Sequence, residues 1–393
     1  MKALLFRRSE VRYVAAVVAG RLARGEGARV GPLALSDIDP PELPGPGWRR
    51  VTPMLSGICG SDLATVDGHA SRYFEPLVSF PFVPGHEVVG RLEDGSRVVL
   101  EPVLGHVARG FEPPFADAAP GDGDDYGHLI AGPLEPGIQI GYCASTGGGW
   151  STQFVAHESQ LHRVPDAMSD EAAVMVEPAA VGVHAALRAD VGPGATVAVI
   201  GAGTMGLLSV AGLKYLVPGA RVIVGAKYPH QRALATALGA DLVVEPASLK
   251  RTVRRAVGCR MIGEDLAGGA DATIDTLGTS TSIRDAIGVT RPRGRVVLVG
   301  MPATVRLELT ALWHRETELV GTYTYCTEKL PDGARAKAFA IALDLAQEMD
   351  LGRLVSATYP LDRFVDAIRH AANAGRRASV KVAFDLRGEK HRA

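Results

Sequence analysis

The sequence predicts a two-domain α/β protein in which a β-rich domain is interrupted by a doubly wound, parallel-sheet domain. The N-terminal half reads as short β-rich segments broken by turn chemistry. From about Ala185 the grammar changes to apolar strand, glycine turn and helix, the alternation of a parallel sheet. The length of 393 residues exceeds what one hydrophobic core supports and allows two to three domains.

In chain order, turn signals stand at Asp39-Pro40-Pro41, Leu43 to Gly47, Pro84-Gly85 and Asp94-Gly95, bounding short strands and leaving regular helices sparse. The longest apolar run near the N-terminus, Val14 to Ala19, is six residues and follows Arg7, Arg8, Glu10 and Arg12. Neither a signal-peptide core nor a membrane span fits, and a cytoplasmic protein is expected. Between Arg109 and Gly127 the composition turns to Gly, Pro and acidic residues, which predicts a solvated surface loop.

The second domain has strands expected at Thr196–Ile200, Arg221–Val224, Leu242–Val244, Ala272–Asp275 and Arg295–Val299, each a continuous run suited to burial on both faces. Helices are expected at Met205–Tyr215 and Gln231–Leu238. After Tyr325 a long helix-like stretch, Ala334 to Met349, and a last strand, Ala378–Phe384, read as a return to the first domain. The expected domains are therefore 1–185 with 326–393, and 186–325.

Lys and Arg total 42 against 43 Asp and Glu, so no basic field is available for nucleic acid or anionic lipid, and any bound anion must be met locally. The four cysteines, Cys59, Cys143, Cys259 and Cys326, are scattered, giving neither a disulfide framework nor a C-x-x-C motif.

The turn after Thr196–Ile200 reads G-A-G-T-M-G, with Gly201, Gly203 and Gly206 in the G-x-G-x-x-G frame and Thr204 and Met205 between them. The first glycine permits the tight turn, the second admits a pyrophosphate against backbone, and the third lets helix and strand pack closely. Its place between an expected strand and an expected helix predicts dinucleotide binding. At the end of the next strand, where an acidic residue would meet the ribose 2′-hydroxyl of NAD, stands Lys227, with His230 and Arg232 close by. This predicts NADP(H) over NAD(H). The alternative is that Lys227 and Arg232 are ordinary solvated charges and that NAD is accepted.

Three separated segments offer metal ligands: G-I-C-G-S-D (57–62), P-G-H-E-V-V-G (84–90) and V-E-P-A-A-V-G-V-H-A (176–185). A catalytic zinc takes about three protein ligands of S, N and O type and leaves one position open. Cys59, His86 and either Glu87 or Glu177 would supply that set. Taken singly, each is more simply a packed core residue; on a cofactor-binding chain the combination points to metal.

At these residues the sequence resembles the zinc-dependent medium-chain dehydrogenase/reductase superfamily, and within it the polyol, threonine and glucose dehydrogenase branch. The resemblance runs from Met1-Lys2-Ala3 through the G-C-G-S-D and G-H-E segments to Lys381. It implies a GroES-like catalytic domain built from the N-terminal half and the C-terminal tail, enclosing a Rossmann domain, with the active site in the cleft between them. It further implies Cys59, His86 and Glu87 as zinc ligands, and Glu177 as a carboxylate that binds zinc directly or through water. Ser61 matches the hydroxyl that bonds the substrate oxygen, and Asp62 the carboxylate that orients the ligand histidine. Lys381 matches a basic position near the cofactor diphosphate, and Gly300 lies at the end of the last expected Rossmann strand.

Two departures stand out. The relay histidine common in the family is replaced by Ala64, so proton release must pass through water, through His69, or through Ser61 and the cofactor ribose. The structural zinc of the family sits among four close cysteines, yet the corresponding stretch, Glu101 to Gly141, contains none. One catalytic zinc per chain and no structural zinc are expected, with Cys143 a packing residue. His184 reads as a core histidine, and Lys250, Arg251, Arg254 and Arg255 as a solvated helix face.

The activity implied is hydride transfer between NADP(H) or NAD(H) and a secondary alcohol, ketone or polyol-like substrate. Two alternatives are a zinc-retaining reductase of an iminium or conjugated double bond, motivated by Ala64, and a silent dinucleotide-binding sensor. The resemblance also implies a homo-oligomer, dimer or tetramer, without nucleic-acid or membrane partners.

Overall fold

In the computed structural model, which describes Met1–Gly388, strand Trp48–Gly57 is the centre of the first of two units. It pairs antiparallel with Lys381–Asp385, Val88–Arg91 and Phe154–His157, and the sheet continues through Arg97–Leu100 to Leu161–Arg163. Val51, Leu55, Val88, Val98, Leu100 and Phe154 are almost completely buried, so the alternation of short apolar runs and turns in the sequence is the alternation of core strands and surface loops. The chain divides into Met1–Glu177 with the segment from Asp350 onward, and Pro178–Met349.

These divisions differ from the expected 185/186 and 325/326. The second correction has a visible cause: helix Ala338–Glu348 belongs to the inner unit, where it buries Phe339, Ala342, Leu345 and Ala346. The Phe339 ring meets Tyr325 edge-on at 5.2 Å. Helical periodicity shows that a face is apolar, not which domain covers it.

The inner unit holds one six-stranded sheet in the order Leu242–Val244, Arg221–Gly225, Thr196–Ile200, Ala270–Asp275, Thr290–Leu298, Glu318–Gly321. Every pairing in it is parallel. The five strands expected from sequence are all present, Thr196–Ile200 and Leu242–Val244 at the expected bounds and the other three with shifted ends, and Glu318–Gly321 adds an edge that its mixed composition concealed. Strand order reverses between Thr196–Ile200 and Ala270–Asp275, the switch point at which open α/β sheets bind nucleotides.

The N-terminal region holds a thirteen-residue helix, Glu10–Leu22, which the sequence reading missed. Its buried contacts are made by Ala16 and Gly20, the latter so close to Asp67 that a Cβ would come within 2.8 Å of the Asp67 Cβ. Val11, Val14, Val18 and Leu22 face outward instead. With the apolar stripe exposed and the inner face made of the smallest residues, the pattern gives no amphipathic signal toward the core.

The segment after Arg109 is a largely exposed loop, as its composition predicts, but Arg109 itself is buried. Its guanidinium donates to the carbonyls of Ala131 (2.9 Å), Glu135 (3.1 Å) and Gly137 (2.8 Å). Cys143 is fully buried, its Sγ 3.3 Å from the same Glu135 carbonyl. A single planar cation thus gathers a lobe that contains no cysteine quartet. Nearby, the His106 and His128 rings stack at 3.8 Å, and burial together with the His106 charge pulls the His128 pKa down to about 4, leaving that ring neutral near pH 7.

Replacing Arg109 by methionine keeps apolar volume but strips the partners from three carbonyls, at about 1 kcal/mol or more each. Arg109→Met should therefore lose about 3 kcal/mol of stability, read as a lower urea midpoint at unchanged slope.

Candidate active site

Two short elements and one strand bring the candidate ligands together within the first unit. Cys59 is the N-cap of helix Gly60–Val66, and Asp62 on that helix accepts from the Cys59 amide through Oδ2 at 2.9 Å. His86 and Glu87 follow the left-handed turn at Gly85 (φ +97°), where a side chain would strike the Trp150 ring. The Trp150 indole N–H donates to the Gly57 carbonyl at 3.2 Å, and the Gly57 amide donates to the Glu87 carbonyl at 2.8 Å, fixing the two segments against each other. One ligand atom from each of Cys59, His86 and Glu87 lies within 4.8 Å of the others.

Cys59 is half-buried, and the groups around it are buried: His86 is 4% exposed, Glu87 1%, Asp62 1% and Glu177 7%. Burial alone lowers the His86 pKa, but the Asp62 charge, the hydrogen bond and charge of Cys59 and the charge of Glu177 outweigh it and raise it well above 6.5. The pocket therefore carries surplus negative charge and favours a cation. His86 Nδ1 is 3.5 Å from Asp62 Oδ1, an ionic contact without hydrogen-bond geometry, and it is otherwise unpartnered. Desolvation raises the pKa of Asp62 in turn.

The resemblance puts Lys381 near the cofactor diphosphate; its neighbours in the structure are Glu87 and Ile58. Its ammonium is 3% exposed, lies 2.6 Å from both Glu87 oxygens and also reaches the Ile58 carbonyl at 3.4 Å. An ammonium fully engaged in a buried bidentate ion pair has no free donor face for a phosphate. Glu177 is buried near enough to act on His86 and Lys381 electrostatically, but it is not among the three clustered donors.

Tyr142 was missed. Its hydroxyl donates to Asp62 Oδ1 at 3.4 Å, lies 3.3 Å from Thr65 Oγ1 and hydrogen-bonds the Ser61 side chain. Burial, followed by the Asp62 charge, raises its pKa well above 10, so it stays a neutral donor. Only its nearness to Cys143, itself read as a packing residue, pointed to that stretch. His69 is exposed.

In the inner unit the glycine turn forms as expected. Gly201 has φ +95°, Gly203 caps helix Thr204–Leu216, and a Cβ on Gly206 would come within 2.1 Å of the Gly201 carbonyl oxygen. Gly300 packs as tightly, with Gly278 N 2.3 Å from where its Cβ would be. Lys227 is exposed just beyond strand Arg221–Gly225, its ammonium 5.6 Å from the Tyr228 ring. Arg232 instead donates to the carbonyls of Ala226 (3.2 Å) and Lys227 (3.0 Å) and so shapes the strand end that presents Lys227. Asp275, also unforeseen, accepts from the Leu277 and Gly278 amides and from the Ser282 hydroxyl, ordering the loop at the neighbouring strand end.

Residues 45–166 match the alcohol dehydrogenase GroES-like domain family and residues 204–339 the zinc-binding dehydrogenase family. The chain belongs to the zinc-dependent medium-chain dehydrogenase/reductase superfamily. It is 29% identical over 349 residues to human sorbitol dehydrogenase, covering 86% of this chain and 89% of that protein. With the sorbitol dehydrogenase of Arabidopsis thaliana it shares 29% over 355 residues, covering 80% and 88%. Its fold superimposes on 2R,3R-butanediol dehydrogenase from Bacillus subtilis with a TM-score of 0.69 at 22% identity, covering 98% and 99% of the two chains. The GroES-like and Rossmann folds implied by the sequence are thus both present, in a zinc-type alcohol and polyol dehydrogenase family.

The most confining contact in the Cys59, His86 and Glu87 cluster is glycine against carboxylate. A Cβ at Gly57 would stand 1.9 Å from Glu87 Oε2 and 3.1 Å from Glu87 Cβ. Gly57→Ala should push that carboxylate out of the cluster, lowering zinc retained through gel filtration at least tenfold while leaving the far-ultraviolet circular dichroism intact.

Proposed function

We propose that the protein is a zinc-dependent dehydrogenase that transfers a hydride between NADP(H) and a small secondary alcohol, ketone or polyol. The observation that carries this reading is the cluster of half-buried Cys59 with buried His86 and Glu87, whose S, N and O donors are the set zinc favours and magnesium or calcium does not. Zinc held by Cys59, His86 and Glu87 would supply Lewis acidity toward the substrate oxygen.

The chain's own residues do the rest. Asp62 steadies the His86 ring from its Nδ1 side, leaving the other nitrogen for the metal. Lys381 pairs with both oxygens of Glu87, so that the carboxylate would serve as a partly neutralised ligand instead of a bare buried charge. Ser61 holds the hydroxyl proton of the substrate, and Tyr142, bonded to Ser61, Asp62 and Thr65, orients that hydroxyl where the family histidine is replaced by Ala64. The glycine turn 201–206 receives the cofactor pyrophosphate at the start of helix Thr204–Leu216. The exposed Lys227, set by Arg232, supports NADP(H), because a 2′-phosphate gains a cation there and NAD finds no acidic partner for its 2′-hydroxyl.

Ala64 also supports a second reading, reduction of an iminium or conjugated double bond, which needs no relay from an alcohol oxygen; product analysis separates the two. The exposed edge strand Glu318–Gly321 supports a homo-oligomer formed through the Rossmann sheet. No helix among the described residues is long and apolar enough to cross a membrane, in keeping with a cytoplasmic enzyme.

Cys59→Ser should remove one zinc per chain, measured by elemental analysis, and reduce turnover by at least a thousandfold; full activity in that variant overturns the assignment of the metal. Comparison of kcat/KM for the two cofactors should favour NADPH over NADH, and Lys227→Asp should reverse the preference. An unchanged ratio in that variant removes Lys227 from the cofactor site.

A further inference from the structure

A second cluster of metal-ligating side chains lies in the inner unit and has no part in the chemistry above. His184 stands on helix Val176–Arg188. Cys326 and Glu328 flank the first residue of the hairpin formed by Thr327–Lys329 and Arg335–Lys337, and in extended chain residues two apart share a face. His184 Nδ1 is 2.6 Å from Glu328 Oε1, Cys326 Sγ is 3.3 Å from the same oxygen, and Sγ and Nδ1 are 3.9 Å apart. His184 and Glu328 are buried, at 8% and 6% exposure. Apart from the Cys59 cluster, this is the one other place among the described residues where three such donors converge within 4.8 Å.

We propose that His184, Cys326 and Glu328 form a second metal site, for a thiophilic divalent ion of the zinc class, which ties the hairpin to the helix. The donor set repeats the sulfur, nitrogen and oxygen of the Cys59 cluster. Zinc bonds of about 2.0 to 2.3 Å in tetrahedral arrangement place donor atoms about 3.4 to 3.6 Å apart. Two of the three observed separations are already near that range, and only the His184 to Glu328 contact must open, by under about 1 Å.

A neutral imidazole, a carboxylate, a thiolate and a divalent ion sum to zero, so the occupied site buries no net charge. The Cys326 thiol gives up its proton to solvent when its sulfur takes up the ion. Water can fill the fourth position. The expected count of one zinc per chain rises to two, and the second ion lies outside the cysteine-free lobe.

The test is equilibrium dialysis of the full chain against zinc, and separately against cobalt, with the protons released recorded in weakly buffered solution. Wild type should bind two ions, Cys59→Ser and Cys326→Ser one each, and the double variant none. In Cys59→Ser the remaining cobalt should keep a sulfur-to-cobalt charge-transfer band, its binding should release protons, and Glu328→Gln in that background should weaken it at least tenfold. A folded Cys59→Ser protein that binds no metal, or whose cobalt band survives Cys326→Ser, overturns the second site. A wild-type protein that keeps one ion through Cys59→Ser and loses it in Cys326→Ser upholds the second site and fails only the first.

Discussion

The contact on which the first unit's chemistry depends is the buried ion pair between Glu87 and Lys381. Both side chains are all but inaccessible, and the ammonium is 2.6 Å from each carboxylate oxygen. Removing either partner of such a pair strands a charge in a low-dielectric interior, at about 3 to 5 kcal/mol. The pair also joins distant parts of the chain, because Lys381 comes from the last strand and Glu87 from the turn after Gly85. Strand Trp48–Gly57, which pairs with the last strand at Gly57 and Ala383, brings them together. Gly57 is where this is tightest, since any side chain there would occupy the space of the carboxylate.

Electrostatics and backbone geometry cooperate around that pair. Asp62 caps the helix that begins at Cys59 and also faces His86, so one carboxylate positions two candidate ligands. Anionic groups outnumber cations in this space, and the raised His86 pKa is the protonic sign of a place that a metal ion would neutralise. The lobe that follows is gathered by the Arg109 guanidinium, which donates to three backbone carbonyls.

Much of this was legible in the residues. Gly201, Gly203 and Gly206 declare their turn because each glycine answers a local steric demand that no other residue meets. Cys59 and His86 are legible as candidate ligands for a different reason: few residue types bind zinc, and with Glu87 or Glu177 as the third donor they fall in three short motif segments. The family resemblance puts Lys381 near the cofactor diphosphate, while its partner in the fold, Glu87, depends on strand pairing across more than 290 positions. Tyr142 went unseen because its role rests on hydroxyl contacts with Ser61, Asp62 and Thr65, which no spacing rule encodes. Helix Glu10–Leu22 was hidden because its inner face is alanine and glycine.

By itself, then, the sequence determined what is local or chemically scarce: the βα grammar of the inner unit, the glycine turn, the types of the candidate ligands and the lack of a cysteine quartet. The tertiary structure decided what depends on which distant segments meet: the carboxylate that joins Cys59 and His86, the partner of Lys381, and the unit that claims helix Ala338–Glu348. It also decided that His184, read as a core histidine, shares its pocket with Cys326 and Glu328. The reason is physical. Steric and coordination preferences act within a few residues and leave a mark in composition and spacing, whereas burial and ion pairing act through space, and the chain must fold before the partners are defined.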